Sequence, residues 1–224
     1  MRSFTLLILL FTISQSLVSQ NPGNIDYAAL PDGLYKTKKD LLAGKPSSTE
    51  EVKFRFYNPG PDSLNIPPDR CYFNYEATGK KVRKMLAIKF KGELYFQTGS
   101  MVLPKNRNKK DDAQTALSLP ALYEFNRVTA FSDKYAYFEA ALKSMWEQGL
   151  MDNLSVTTGT PYDDIGLGFN KSVVWDYENQ EFNIFRNCKD YNRFMEANNP
   201  VAVQDCAGKN YDRNIARKAV LDIK

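Results

Sequence analysis

The sequence predicts an α+β protein: an antiparallel, hairpin-rich sheet with short helices, two of them at the C-terminus. Three observations carry this prediction. Stretches of apolar–polar alternation are separated by tight turns rich in Gly, Asn and Lys. Stretches with a helical period are few and short, and two of them close the chain. No strand–helix–strand alternation runs through the sequence, which excludes a doubly wound parallel sheet.

Gly33-Leu34-Tyr35 reads as a short strand. Thr37 is an N-cap for a helix over Lys38 to Ala43, with Gly44 as its stop and Pro46 beyond. Val52, Phe54 and Phe56 alternate with Lys53, Arg55 and Tyr57, the pattern of a half-buried strand. Asn58 to Arg70 contains five residues of Pro or Gly and reads as a loop. Cys71 to Tyr75 and Val82 to Phe90 are then strands about the turn Thr78-Gly79-Lys80, and Leu94 to Gln97 follows the turn Lys91-Gly92-Glu93.

Residues 104–114 are charged and aperiodic, which predicts an exposed loop without fixed order. Two further strands are expected over 121–139, about Ser132-Asp133. Tyr135, Phe138, Leu142, Met145 and Trp146 also fit one helical face, so this segment is read as a strand ending near Glu139 and running into a short helix, which Gly149 and Asn153 end. Residues 155–170 form a long irregular connection, and Ser172 to Phe185 a hairpin about Glu178-Asn179-Gln180. Asn187 caps a helix over Cys188 to Ala197, whose apolar face is Tyr191, Phe194 and Met195. The last helix starts near Asp212, with Ile215, Ala219, Val220 and Ile223 as its expected buried stripe.

The N-terminus carries a compartment signal. Arg2 precedes an almost unbroken apolar run from Phe4 to Ile13, and Ser14 to Gln20 is polar. That is the layout of a secretory signal peptide. The run is too short for a membrane span, which needs about 20 apolar residues. Cleavage is placed at Ser16, Ser19 or Gln20, with small residues favouring Ser19. The expected organisation is a signal peptide at 1–19, a loose leader at 20–31 and a single domain at 32–224. The mature chain is expected in the periplasm, at the cell surface or outside the cell, with no transmembrane span.

Gly33-Leu34-Tyr35, Thr37, Asp40-Leu41 and Pro46, followed by aromatic hairpins and a helical end, resemble the opening and order of a group of small uncharacterised exported proteins common in Bacteroidetes. The resemblance implies a bacterial envelope setting. It implies no activity and assigns no residue a role. In that setting Asn153-Leu154-Ser155 and Asn170-Lys171-Ser172 are expected to stay unglycosylated.

Composition narrows the chemistry further. The chain has no histidine, which excludes Ser-His-Asp and Cys-His catalysis and histidine metal ligands. Three cysteines without a C-x-x-C spacing give no zinc motif. Cys188 and Cys206 close the shortest loop and are the expected disulfide, with pairing to Cys71 and three separate thiols left as alternatives. Asp152, Asp163 and Asp164 do not follow EF-hand spacing, and Gly166-Leu167-Gly168 lacks the setting of a phosphate loop. No cofactor is expected. The formal charge of +4 gives no case for nucleic acid.

Two function classes remain. The first is a non-catalytic protein that binds an envelope protein, a glycan or an anionic lipid surface through an aromatic or basic sheet face. The basic residues in question are Lys80, Lys81, Arg83, Lys84, Lys89 and Lys91, with Lys105, Arg107, Lys109 and Lys110 in the following loop. The second is a hydrolase that works with two carboxylates, as glycosidases do. Its candidates are Asp163, Asp164, Asp176 and Glu178, beside Trp175 or Trp146.

Overall fold

The computed structural model describes residues 26–27, 29–55, 69–108, 115–116, 121–144, 170–207 and 210–223. Nine strands form one antiparallel sheet: β1 (Gly33–Tyr35), β2 (Val52–Arg55), β3 (Arg70–Tyr75), β4 (Ala87–Phe90), β5 (Glu93–Gln97), β7 (Phe125–Phe131), β8 (Tyr135–Ala141), β10 (Asn170–Asp176) and β11 (Glu181–Phe185). The main path runs β1-β4-β5-β7-β8-β10-β11, with β2 and β3 branching from β7. A separate pair joins β6 (Thr115–Ala116) to β9 (Lys143–Ser144). The helices are α1 (Lys38–Leu42), α2 (Thr98–Met101), α3 (Cys188–Asn198) and α4 (Arg213–Leu221). This is the α+β, hairpin-rich architecture that the sequence predicts. No helix among the described residues is long and apolar enough to cross a membrane.

Strand β7 holds the two halves of the sheet together. Its first residues pair with β5 on one side and β3 on the other, and its last residues pair with β8. A register shift between Val128 and Ala130 marks the change of partner, the place where an extra residue bends a strand.

Strict alternation then serves two cores. On β8, Ala136, Phe138 and Ala140 enter one apolar cluster while Tyr135 and Tyr137 enter another. On β10, Trp175 faces the first cluster and Val174 the second. Helices α3 and α4 cover the second face with Tyr191, Met195, Ala216 and Val220. The hairpin β2–β3 covers the outer face of β4 and β5, where Phe73 packs edge-on against Tyr95 and Phe125.

Several expectations need correction. The strand expected over Val82 to Phe90 is regular only from Ala87. Lys84 takes a left-handed backbone (φ 58°), and the Met85 N–H donates to the Gln97 side chain at 3.0 Å instead of to a strand. The helix expected after Glu139 does not begin there. Strand β8 continues to Ala141, and Lys143–Ser144 is extended. Tyr135 and Phe138, which looked like one helical face, point to opposite sides of the sheet because both sides are buried. The rest of that expected helix lies outside the described residues, as do the signal peptide and the 155–169 connection.

At α4 three of the four expected stripe residues are buried and one, Ile215, is not. Ile215 is 53% exposed, while Ala216 is fully buried with Ala219, Val220 and Ile223. Asp212 caps α4 through the Asn214 and Ile215 amides and thereby sets its rotation. The head of the charged 104–114 segment is folded: Pro104–Asn106 is a 3-10 turn, and buried Asn106 donates to the Ser100 carbonyl at 2.7 Å. Residues 109–114 lie outside the described residues.

A lysine-lined groove as the candidate functional site

The segment from Gly33 to Ser48 is a structural clasp. Gly33 has φ +150°, and a Cβ there would sit 2.7 Å from the Pro46 Cβ and 2.9 Å from the Ser48 carbonyl oxygen. Only glycine admits this contact. Buried Tyr35 donates its hydroxyl to the Pro31 carbonyl at 2.7 Å. Thr37 and Asp40 form a capping box, and Asp40 also accepts from the Ser47 hydroxyl at 2.7 Å. The Ser47 and Thr37 hydrogen bonds hold the Asp40 carboxyl below the usual carboxylate range.

This clasp fixes α1 beside the entry to β4. Between α1, residues 84–86, α2 and the 3-10 turn Ala121–Tyr123 lies a groove of about 890 Å³. That volume falls within the range of small-molecule sites. Lys36, Lys38, Lys39, Lys84 and Lys105 line it, and among the described residues no Asp or Glu does. None of these five lysines forms an ion pair among the described residues.

Lys38 and Lys39 are the first two residues of the five-residue α1. Lys38 is half-buried. Its ammonium donates to the Lys105 carbonyl at 2.9 Å and lies 5.9 Å from the Trp175 ring centroid. Burial holds its pKa below the ordinary lysine value; nearby Glu181 opposes that shift and Lys105 reinforces it.

The wall of the groove is built from a buried polar network. The Ser100 hydroxyl donates to the Gln97 carbonyl at 2.8 Å, and Gln97 Oε1 accepts from Met85. Gln97 is 3% exposed, and its Nε2 has no acceptor among the described residues. An unmatched buried donor costs about 1–3 kcal/mol. Gly99 lets α2 approach the opposite wall, because a Cβ there would lie 2.6 Å from the Leu122 carbonyl oxygen. Apolar Met85, Leu86, Leu103 and Leu122 complete the lining. Arg83 stands beside it with its guanidinium 4.7 Å from the ring centroid of Tyr123.

The predicted basic cluster is thus divided. Lys84 and Lys105 enter the groove. Lys80 is exposed on the β3 turn, and Lys81 lies over the Tyr72 ring at 3.7 Å. Arg107 forms an isolated bridge with Phe182. Lys91 lines a separate depression with Glu50, Glu51 and Glu76. Lys89 borders the same depression but turns inward: it is 3% exposed, donates to the Tyr27 carbonyl at 2.7 Å, and has its pKa lowered by burial. Lys109 and Lys110 are outside the described residues. Sequence reasoning missed Lys36, Lys38 and Lys39. The signal available for them was a Lys-x-Lys-Lys run at a helix start, a local concentration of like charge.

The predicted aromatic side chains mostly form the core. Trp175 is fully buried against Phe96 and Phe182. Among the described residues, Phe131 is the one aromatic in the set of exposed large apolar side chains.

Of the carboxylate candidates, Asp176 is 5% exposed and accepts from the Asn179 amide and side chain at 2.8 and 2.9 Å. It holds the β10–β11 turn on the face of the sheet opposite Trp175. Glu178 is exposed on that turn. Asp163, Asp164 and Trp146, and with them Asp152 and Gly166 to Gly168, lie outside the described residues. No group of three or more potential metal ligands converges among the described residues.

Cys188 and Cys206 are joined as a disulfide with their Cα atoms 6.2 Å apart, and Cys71 is a buried thiol that burial pushes to a higher pKa. No family model matches the chain, and neither a curated protein nor a solved structure does.

Proposed function

We propose that this is an exported, non-catalytic protein that binds an anionic partner of the envelope or extracellular space through the lysine-lined groove. The observation that carries this reading is the convergence of five lysines with no lining carboxylate among the described residues. Like charges gathered at this density repel one another, and a bound anion relieves that repulsion. The apolar N-terminus after Arg2 supports export, as does the resemblance to small exported Bacteroidetes proteins, and the Cys188–Cys206 bond suits an oxidising compartment. No observation favours the two-carboxylate hydrolase, since Asp176 is committed to a turn.

The test is retention of envelope extract, acidic glycans and anionic vesicles by immobilised protein, at low and high salt. Binding is expected to weaken as salt screens the lysines. It should fall in a Lys36→Gln/Lys39→Gln/Lys84→Asn variant, in which asparagine tolerates the left-handed backbone. Salt-insensitive retention, or retention unchanged in the variant, would refute the reading.

A further inference from the structure

We propose that the groove holds a small single-chain amphiphile, with its carboxylate or phosphate head among Lys36, Lys39 and Lys84 and its alkyl chain on Met85, Leu103 and Leu122. This rests on the anionic reading above and narrows it to a ligand class. The groove combines two linings that a purely ionic partner would use only in part. Its lysines ask for an anion, and its leucines ask for something apolar. Leu103 is 44% exposed, an apolar area that a chain would cover. An acidic glycan has no alkyl segment to place there. A bilayer surface is broad, whereas this site is recessed between α1 and the Ala121–Tyr123 turn.

Two further features mark the wall of the groove. Gln97, 3% exposed, keeps an amide donor without an acceptor among the described residues in the wall beneath the lysines. Lys84 reaches the groove from a left-handed backbone, a conformation that strains a non-glycine residue and is concentrated at binding sites.

The experiment is calorimetry of the mature, oxidised chain with n-alkyl phosphates of six, eight and ten carbons. Inorganic phosphate, a ten-carbon trimethylammonium and anionic vesicles serve as comparison ligands. Affinity should rise about fourfold per methylene until the groove is filled. Inorganic phosphate should bind far more weakly, and the cation should not bind. The Lys36→Gln/Lys39→Gln/Lys84→Asn variant should weaken every alkyl phosphate by a common factor of about ten, from three exposed charge contacts. Leu103→Ser should instead flatten the dependence on chain length, and thermal unfolding of both variants checks that they fold.

Affinity independent of chain length, with inorganic phosphate bound equally well, overturns the amphiphile and leaves the anionic reading standing. Binding to vesicles alone assigns a membrane surface and likewise overturns it. Absence of binding to every alkyl phosphate overturns the amphiphile, and the anionic reading falls with it only when immobilised protein also fails to retain acidic glycans and envelope extract.

Discussion

Replacing both cysteines of the Cys188–Cys206 bridge by alanine separates two ways of holding the C-terminal loop. The bond spans 18 positions, and closing a loop of that length in the unfolded chain is worth about 3 kcal/mol in the chain-entropy treatment. The folded loop has other ties. Asn192 Nδ2 donates to the Gln204 carbonyl at 2.9 Å, and the Gln204 amide donates to Asn192 Oδ1 at 3.0 Å. The Tyr191 hydroxyl donates to the Ala202 carbonyl at 2.7 Å, and the Asp212 amide donates to Gln204 Oε1 at 2.8 Å. These bonds keep α3, the loop and the start of α4 in place without the sulfurs.

The double variant should therefore fold with α3 and α4 docked and lose stability mainly through a freer unfolded state. A loss of about 3 kcal/mol corresponds to a Tm lower by about 6–12 °C in a chain of this size. Calorimetry and urea unfolding of the two proteins measure it, and a larger urea slope for the variant would report the more exposed unfolded chain. Thiol titration of the parent should find one group, Cys71, reactive only after unfolding. A destabilisation below about 1 kcal/mol would refute the entropic assignment, and loss of the folded state would refute the hydrogen-bonded clip.

Three further outcomes are expected. Ile215→Lys should change stability by no more than about 0.5 kcal/mol, as at other exposed positions, whereas Ala216→Leu should cost about 1–3 kcal/mol by overfilling the core beneath α4; urea midpoints compare them. Gly33→Ala should cost about 1–3 kcal/mol from its positive φ alone, and more from the contact with Pro46, read as a lower Tm. Burial raises the phenol pKa of Tyr27, Tyr95, Tyr137 and Tyr177 above the ordinary 10.0. A raised folded pKa gives stability that is complete below the unfolded value and is lost as pH rises towards the folded one. Stability should therefore fall above pH 10 by about 1 kcal/mol per phenol over the first pH unit, with tyrosinate absorbance appearing together with unfolding.

What the sequence determined by itself is local. The Thr37 and Asn187 caps, the helix start near Asp212, the Lys91-Gly92 and Glu178-to-Gln180 turns, and the short apolar, aromatic runs Leu94 to Gln97 and Ser172 to Asp176 depend on neighbours a few residues away, so the fold class was legible. The shortest cysteine spacing was likewise legible, and its loop is the one that is bridged. Tertiary structure decided everything that depends on which face meets which partner. Both faces of β8 are buried, so its period-2 pattern merged into an apparent helical one. Gln97 captures the Met85 amide and breaks the expected strand. Docking of α4 exchanges Ile215 for Ala216, two apolar residues that sequence cannot rank by exposure. Lys89 turns inward to a carbonyl 62 positions away, while Lys36 to Lys39 meet Lys84 and Lys105 across the β1–β4 pairing. A lysine reads the same in sequence whether it faces water, a buried carbonyl or four other lysines; the difference is an electrostatic environment that only the packed chain creates.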